Sequence, residues 1–248
     1  MGSIHYEVFG EGPPLVLSHG VIESTESWAQ LTPFLSDHFQ VVVHDARGRG
    51  GSEWDGAPFG FPELADDVAA LTDFLGLDNF FHAGHSMGGR VVLEHALAHP
   101  DRVAGLAVIS SRAEAPDDAG RARFAALANQ AAAEGPGSAV APWAEPTDAY
   151  FQRARAISEA NPRGGTQAAL RTLAEMGSLV PRLCEIETRT LVLAGGLDST
   201  YLRSARLMAT TVPHGILRIL EGIGHFPNLE CPALLADELI HFFSDSAE

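Results

Sequence analysis

Basic residues are scarce in this sequence: Lys and Arg number 16 against 32 Asp and Glu, a formal balance of −16 over 248 residues. That surplus repels the phosphate backbone of nucleic acids and anionic membrane surfaces, so neither is an expected partner. Cysteine is scarcer still, with Cys184 and Cys231 alone, far apart and outside any metal-type or redox-type spacing. Such usage fits a reducing compartment where thiols stay free, and a cytoplasmic location is the expectation. Nowhere does the chain approach the roughly 18 apolar residues of a membrane span. Met1 to Gly20 also lacks the basic start and apolar run of a secretory leader. What is present is a folding composition, 46% hydrophobic and 19% charged, in a length that suits one large α/β domain with a modest insertion.

Ile4 to Phe9 alternates loosely and is followed by the turn Gly10-Glu11-Gly12-Pro13 and the apolar run Leu15 to Ser18. This predicts an opening hairpin of two strands. Short β-rich runs recur at Gln40 to His44, Phe80 to Gly84, Val103 to Ile109, Thr190 to Ala194 and Ile216 to Leu220, with helical periodicity between most of them. The alternation predicts a mostly parallel sheet flanked by helices. Phe61 to Leu75 sets Leu64, Val68, Leu71 and Leu75 on one face, with Glu63, Asp66 and Asp67 near its start where the helix dipole favours them. Pro232 to Phe243 reads as a closing helix. Between Ser111 and Glu187 the rhythm breaks into an Ala-rich stretch punctuated by Pro116, Gly135-Pro136-Gly137, Pro142, Pro146, Pro162 and Gly164-Gly165. The expected division is therefore a core of residues 1–111 and 188–248, with a helical lid insertion at 112–187. Its helices are expected near Asp117 to Glu134, Thr147 to Ala160 and Thr166 to Met176.

The most informative string is Gly84-His85-Ser86-Met87-Gly88-Gly89, between a predicted strand and a predicted helix. A tight strand-to-helix turn strains its central residue and exposes the Ser86 hydroxyl, while the glycines remove side chains that would strike neighbouring backbone. A serine hydroxyl is a poor nucleophile at neutral pH and requires an imidazole base oriented by a carboxylate. Asp198 and His225 both follow predicted strands, on loops at the sheet edge where Ser86 lies, and supply acid and base. Asp45 competes as the acid, but Asp45-Ala46-Arg47-Gly48-Arg49-Gly50 reads better as a loop shaped by local hydrogen bonds. The oxyanion would be held by the N–H of Met87, at a helix N-terminus, and by that of Val21 beyond Gly20. His19 is expected to orient or support rather than act as a second base. His95 and His99 share a helix face but lack a third ligand of useful spacing, so no metal is called and a solvated helix end is expected. Ile22, Trp28, Trp143, Tyr150, Phe151 and Phe226 are candidates for an apolar pocket.

Together His19-Gly20, Asp45-x-Arg47-Gly48-x-Gly50, the Ser86 turn, Asp198 and Gly224-His225 resemble the α/β-hydrolase superfamily along essentially the whole chain. Within it the chain looks like the small lid-bearing members, namely carboxylesterases, 3-oxoadipate enol-lactonases and MenH-type synthases. The resemblance implies a sheet of seven or eight strands, seven if no strand precedes Ile4. It also implies hydrolysis of a small ester, lactone or thioester through Ser86, with a small-molecule substrate and no cofactor. A homo-oligomer is compatible and not required. MenH-type proteins instead use the same triad for proton abstraction and elimination, with arginines holding carboxylates. Arg90, Arg121, Arg123, Arg153, Arg155 and Arg163 are candidates for that task, although arginines on amphipathic helices are commonly solvated. A ligand receptor on the same fold is the third reading.

Overall fold

The computed structural model describes residues 3–145 and 147–244. Pro146, read as a breaker, and Met1 and Gly2 of the leader reading lie outside the described residues. The β-rich runs become strands β1 (Tyr6–Phe9), β2 (Pro14–Ser18), β3 (Gln40–His44), β4 (Phe80–His85), β5 (Val103–Ile109), β6 (Thr190–Gly195) and β7 (Gly215–Leu220). They form one seven-stranded sheet in the order β1-β3-β2-β4-β5-β6-β7, parallel except for β1.

One expectation fails here: β1 and β2 do not form a hairpin. β1 pairs antiparallel with β3, Tyr6 opposite His44, and β3 lies between the two. Burial explains the placement. Residues 15–18 of β2 are wholly buried and need a neighbour on each side, whereas Glu7, Val8 and Phe9 of β1 are exposed and suit an edge. The link passes β3 through Gly10 at φ 71°, where a Cβ would run into the carbonyl oxygens of Ser36 and Phe39.

The helices are α1 (Thr32–Leu35), α2 (Phe61–Phe74), α3 (Met87–Ala98), α4 (Asp118–Glu134), α5 (Phe151–Glu159), α6 (Arg163–Glu175), α7 (Ser199–Thr211), α8 (Pro227–Glu230) and α9 (Pro232–Ser244). Successive strand residues serve opposite faces. Val16 and Val42 join Leu64, Val68 and Leu71 of α2, while Leu15, Leu17, Val41 and Val43 pack with Leu235, Leu239 and Phe243 of α9. Each such fully buried side chain contributes about 1.5–3 kcal/mol. Glu63 accepts from the Gly60 N–H at 2.8 Å, closing the first turn of α2. α4, α5 and α6 lie between β5 and β6, and α4 and α6 pack against each other. No helix among the described residues is long and apolar enough to cross a membrane.

His95 departs from its expected solvated setting. It is fully buried, its ring 5.4 Å from Phe80 and 5.2 Å from His82, because the inner face of α3 packs onto β4. Neither ring nitrogen has a hydrogen-bond partner.

Candidate active site

Ser86 sits between β4 and α3 with φ 53° and ψ −111°, a backbone state that costs a non-glycine residue about 1–3 kcal/mol. The turn survives because neighbouring backbone leaves no alternative. A Cβ on Gly84 would strike the backbone of Gly88, and one on Gly88 the carbonyl oxygens of Ser18 and His19. The Ser86 N–H donates to the Ile109 carbonyl at 2.8 Å. The turn thereby places the Ser86 hydroxyl 3.1 Å from His225 Nε2.

On its other side the His225 ring has Nδ1 2.6 Å from Asp198 Oδ2. A carboxylate only accepts, so Nδ1 carries the proton and Nε2 is left to accept from the serine hydroxyl. Asp198 follows β6 and caps α7, and His225 follows β7, so parallel strands bring all three groups to one sheet edge. Burial holds the His225 imidazole below the ordinary histidine range, opposed by the hydrogen bond and charge of Asp198. Tyr201 at 4.5 Å and Trp143 at 6.1 Å between ring centroids pack against that ring. The His225 loop is also clamped by Glu230, which accepts from Gly224 N–H at 2.8 Å and Phe226 N–H at 2.9 Å. The N–H groups of Val21 and Met87 find no protein acceptor among the described residues. Gly20, Val21, Ile22, Trp143 and Phe226 close in around Ser86 and leave little free space beside its hydroxyl.

This arrangement agrees with a sequence match to the alpha/beta hydrolase fold family over residues 13–157, more than half of the chain. The chain belongs to the α/β-hydrolase family. Among its relatives, RutD of Agrobacterium fabrum, provisionally named a carbamate hydrolase, is 31% identical and covers 96% of this chain and 97% of its own. A fluoroacetate dehalogenase from a Burkholderia species is 39% identical over 112 residues, but that match spans 43% of this chain and 37% of the dehalogenase. A thermophilic esterase from Thermogutta terrifontis superposes with a TM-score of 0.93 at 27% identity, covering 100% of this chain and 95% of the esterase.

Within this hydrolase fold the sequence-predicted residues separate into groups. Ser86, Asp198 and His225 are brought together, and Val21, Ile22, Trp143 and Phe226 lie around them. Tyr150 stands one ring further out, 5.9 Å from Phe226, with its hydroxyl donating to Asp148 at 3.1 Å. Phe151 is buried among the residues of the inserted helices and does not line the space at Ser86. Trp28 does not line it either. It is fully buried under the opposite sheet face with Leu15 and Leu31, because the loop after Ile22 turns inward in a single 3₁₀ turn. Arg90 is likewise corrected from the pocket. Its guanidinium pairs with Glu94 at 3.0 Å and donates to the carbonyls of Ala113 and Gly177, tying α3 to both ends of the segment that carries α4 to α6.

Asp45 is engaged locally, accepting from Thr25 N–H at 2.7 Å and Gly51 N–H at 2.8 Å. His19 accepts from Ala46 N–H at 3.0 Å through Nε2, leaving Nδ1 to donate to the Gly20 carbonyl at 2.8 Å. Sequence reasoning missed Glu23, His85, Tyr201, Asn228 and Glu230. Only His85 carried a signal, through adjacency to Ser86. No cluster of three or more His, Cys, Asp or Glu among the described residues is placed to hold a metal.

Proposed function

We propose that the chain is a serine hydrolase that cleaves a small carboxylic ester, lactone or thioester through an acyl-enzyme on Ser86. The observation that carries this reading is the continuous contact from the strained Ser86 hydroxyl through His225 to Asp198. Ser86 Oγ attacks the substrate carbonyl carbon as its proton passes to His225 Nε2. The oxyanion is held by the N–H groups of Met87 and Val21. The bond to the leaving group breaks, and the imidazolium returns the proton to the departing oxygen or sulfur. Water, deprotonated by the same nitrogen, then attacks the acyl carbon, and as the acyl–oxygen bond breaks the imidazolium returns that proton to Ser86 Oγ, while Asp198 stabilises each imidazolium. The apolar side chains of Val21, Ile22, Trp143 and Phe226 beside Ser86 suit the uncharged acyl part of an ester. The helices at 112–187 act in this reading as a lid, since Trp143 from that segment covers His225.

An elimination on a carboxylate-bearing substrate would call on arginines, and three of the six candidates are engaged elsewhere. Arg90 is tied to Glu94 and two carbonyls, Arg121 donates to the Ala174 carbonyl, and Arg163 to those of Ala132 and Ala133. The test is incubation with a fluorophosphonate and with p-nitrophenyl acetate. The unmodified chain is expected to be labelled at Ser86 and to turn the ester over, and Ser86→Ala to lose at least about a thousandfold of turnover. Labelling without turnover of esters, lactones or thioesters points instead to elimination or to a receptor. Retained turnover in Ser86→Ala removes the assignment.

A further inference from the structure

Directly beneath the site lies a buried pair of charged groups that the proposed chemistry does not use. Glu23 Oε2 is 2.7 Å from His85 Nδ1, with the two side chains 3% and 0% exposed. The hydrogen bonds around them suit the charged form of each. Glu23 Oε2 also accepts from Gly20 N–H at 2.5 Å, and Oε1 accepts from Asn228 Nδ2 at 2.8 Å, so three donors surround an ionised carboxylate. His85 Nε2 lies 2.7 Å from the backbone carbonyl of His225. With Glu23 ionised, carboxylate and carbonyl only accept, which calls for both His85 nitrogens as donors and an imidazolium ring. In keeping with this, the Glu23 carboxyl is held down at about 2 by His85, against the opposing effect of burial. Glu23 raises the His85 pKa in turn, again against burial.

The pair touches both halves of the site. Glu23 fixes Gly20 N–H one residue before Val21, the proposed oxyanion donor, and a Cβ at position 20 would crowd Glu23 Oε2 and His85 Nδ1. His85 precedes Ser86 in the chain and grips the peptide carbonyl of His225, whose neighbours' N–H groups are held by Glu230. Buried ion pairs add little net stability over apolar replacements, so stability alone is a poor account of this one.

We infer that Glu23 and His85 are positioning residues, a buried ion pair that sets the oxyanion loop and the His225 loop in mutual register. The inference rests on the serine-hydrolase reading. Two measurements test it on the full chain. In the unmodified protein, nuclear magnetic resonance of ¹⁵N-labelled histidine at pH 6 and 7 should show His85 with both ring nitrogens protonated. One bare nitrogen overturns the pair. This readout requires no turnover, so it separates failure of the inference from failure of the hydrolase assignment.

The second measurement compares Glu23→Gln and His85→Gln with the unmodified chain on p-nitrophenyl acetate and on a trifluoromethyl ketone that mimics the tetrahedral adduct. Expected is a kcat lowered about 10- to 100-fold with KM within about twofold, and ketone affinity falling in parallel, as for loss of oxyanion geometry. Unchanged kcat per folded molecule overturns the inference, as does a loss of kcat with ketone affinity intact. Should neither variant fold, the resonance measurement still decides.

Discussion

The Ser111 hydroxyl donates to the carbonyl oxygen of Ser86 at 2.6 Å, joining the second residue past β5 to the strained turn after β4. Ser86 is thus held through both of its backbone groups, its N–H by Ile109 at the end of β5 and its carbonyl by Ser111 just beyond. The same Ser86 carbonyl also receives the Arg90 N–H at 3.3 Å, so it is not orphaned if Ser111 is lost.

Ser111→Ala removes that bond with little change of shape. The expected cost is about 1 kcal/mol of stability, the usual net worth of one hydrogen bond. Relaxation of the turn should also lower kcat with a short ester more than it changes KM. Denaturant unfolding and steady-state kinetics check the two parts, and an unaltered kcat shows that the strands hold Ser86 without Ser111.

The pH dependence of turnover follows from His225. The proposed base works only when neutral, and burial places its pKa below the ordinary 6.5. For an uncharged ester, kcat/KM should therefore fall as pH drops through a midpoint below 6.5 and stay level above it until another group titrates. A midpoint above 6.5 would mean that the Asp198 interaction outweighs burial.

Much of this architecture is legible in the chain because its determinants are local. Residues 41–43 and 191–193 are short apolar runs that read as strands, and the Gly84 and Gly88 spacing around Ser86 reads as a turn wherever it occurs between a strand and a helix. Partner choice is not local. Nothing near Tyr6 reveals that it pairs with His44 instead of lying beside β2. An aromatic such as Trp28 packs inward or lines a pocket depending on how one 3₁₀ turn aims it. Glu23 and His85 stand 62 positions apart, so their ion pair becomes visible only when β2 and β4 lie side by side. Arg90 was misplaced for the same reason, since its acceptors at 113 and 177 come from distant chain.

Buried histidines should make the fold sensitive to acid. His44 and His82 share the Ser18 hydroxyl at 3.0 and 2.9 Å, and burial holds His44 at about 4, His95 at about 3, and His82 and His19 below the ordinary value. As pH falls below 6.5 the unfolded chain takes up protons that the folded one refuses, and stability drops by roughly 1.4 kcal/mol per pH unit for each group. Glu23, depressed to about 2, adds a loss in the same direction below 4.5. His85 acts oppositely, since its raised pKa gives stability that is full below 6.5 and lost as pH rises through the folded value. Thermal unfolding should therefore show greatest stability near neutral pH and a steep fall toward pH 5. Replacing His95, whose two ring nitrogens lack partners, by Leu is expected to leave neutral stability equal or higher and to flatten the acid slope. An unchanged slope would mean that His95 already accepts a proton in the folded state.

Trp143 is expected to set how much acyl group the proposed site accepts. Its ring lies near-parallel to that of His225, at 22°, and to that of Phe124, at 26°, bridging the inserted helix α4 and the loop after β7. With Trp143 in place little free space remains beside Ser86, so a long acyl group is expected to displace this ring or enter beside it. Trp143→Ala removes the displacement cost and leaves a cavity walled by Ile22, Phe124 and Phe226. The variant should favour longer acyl chains, raising the ratio of kcat/KM for p-nitrophenyl octanoate to that for the acetate by about tenfold or more, since each buried methylene is worth about 0.8 kcal/mol. The acetate rate itself should fall, because His225 loses one wall of its packing and ring orientation. If the octanoate-to-acetate ratio stays constant while both rates drop, Trp143 serves only to orient His225, and the acyl group lies along another path from Ser86.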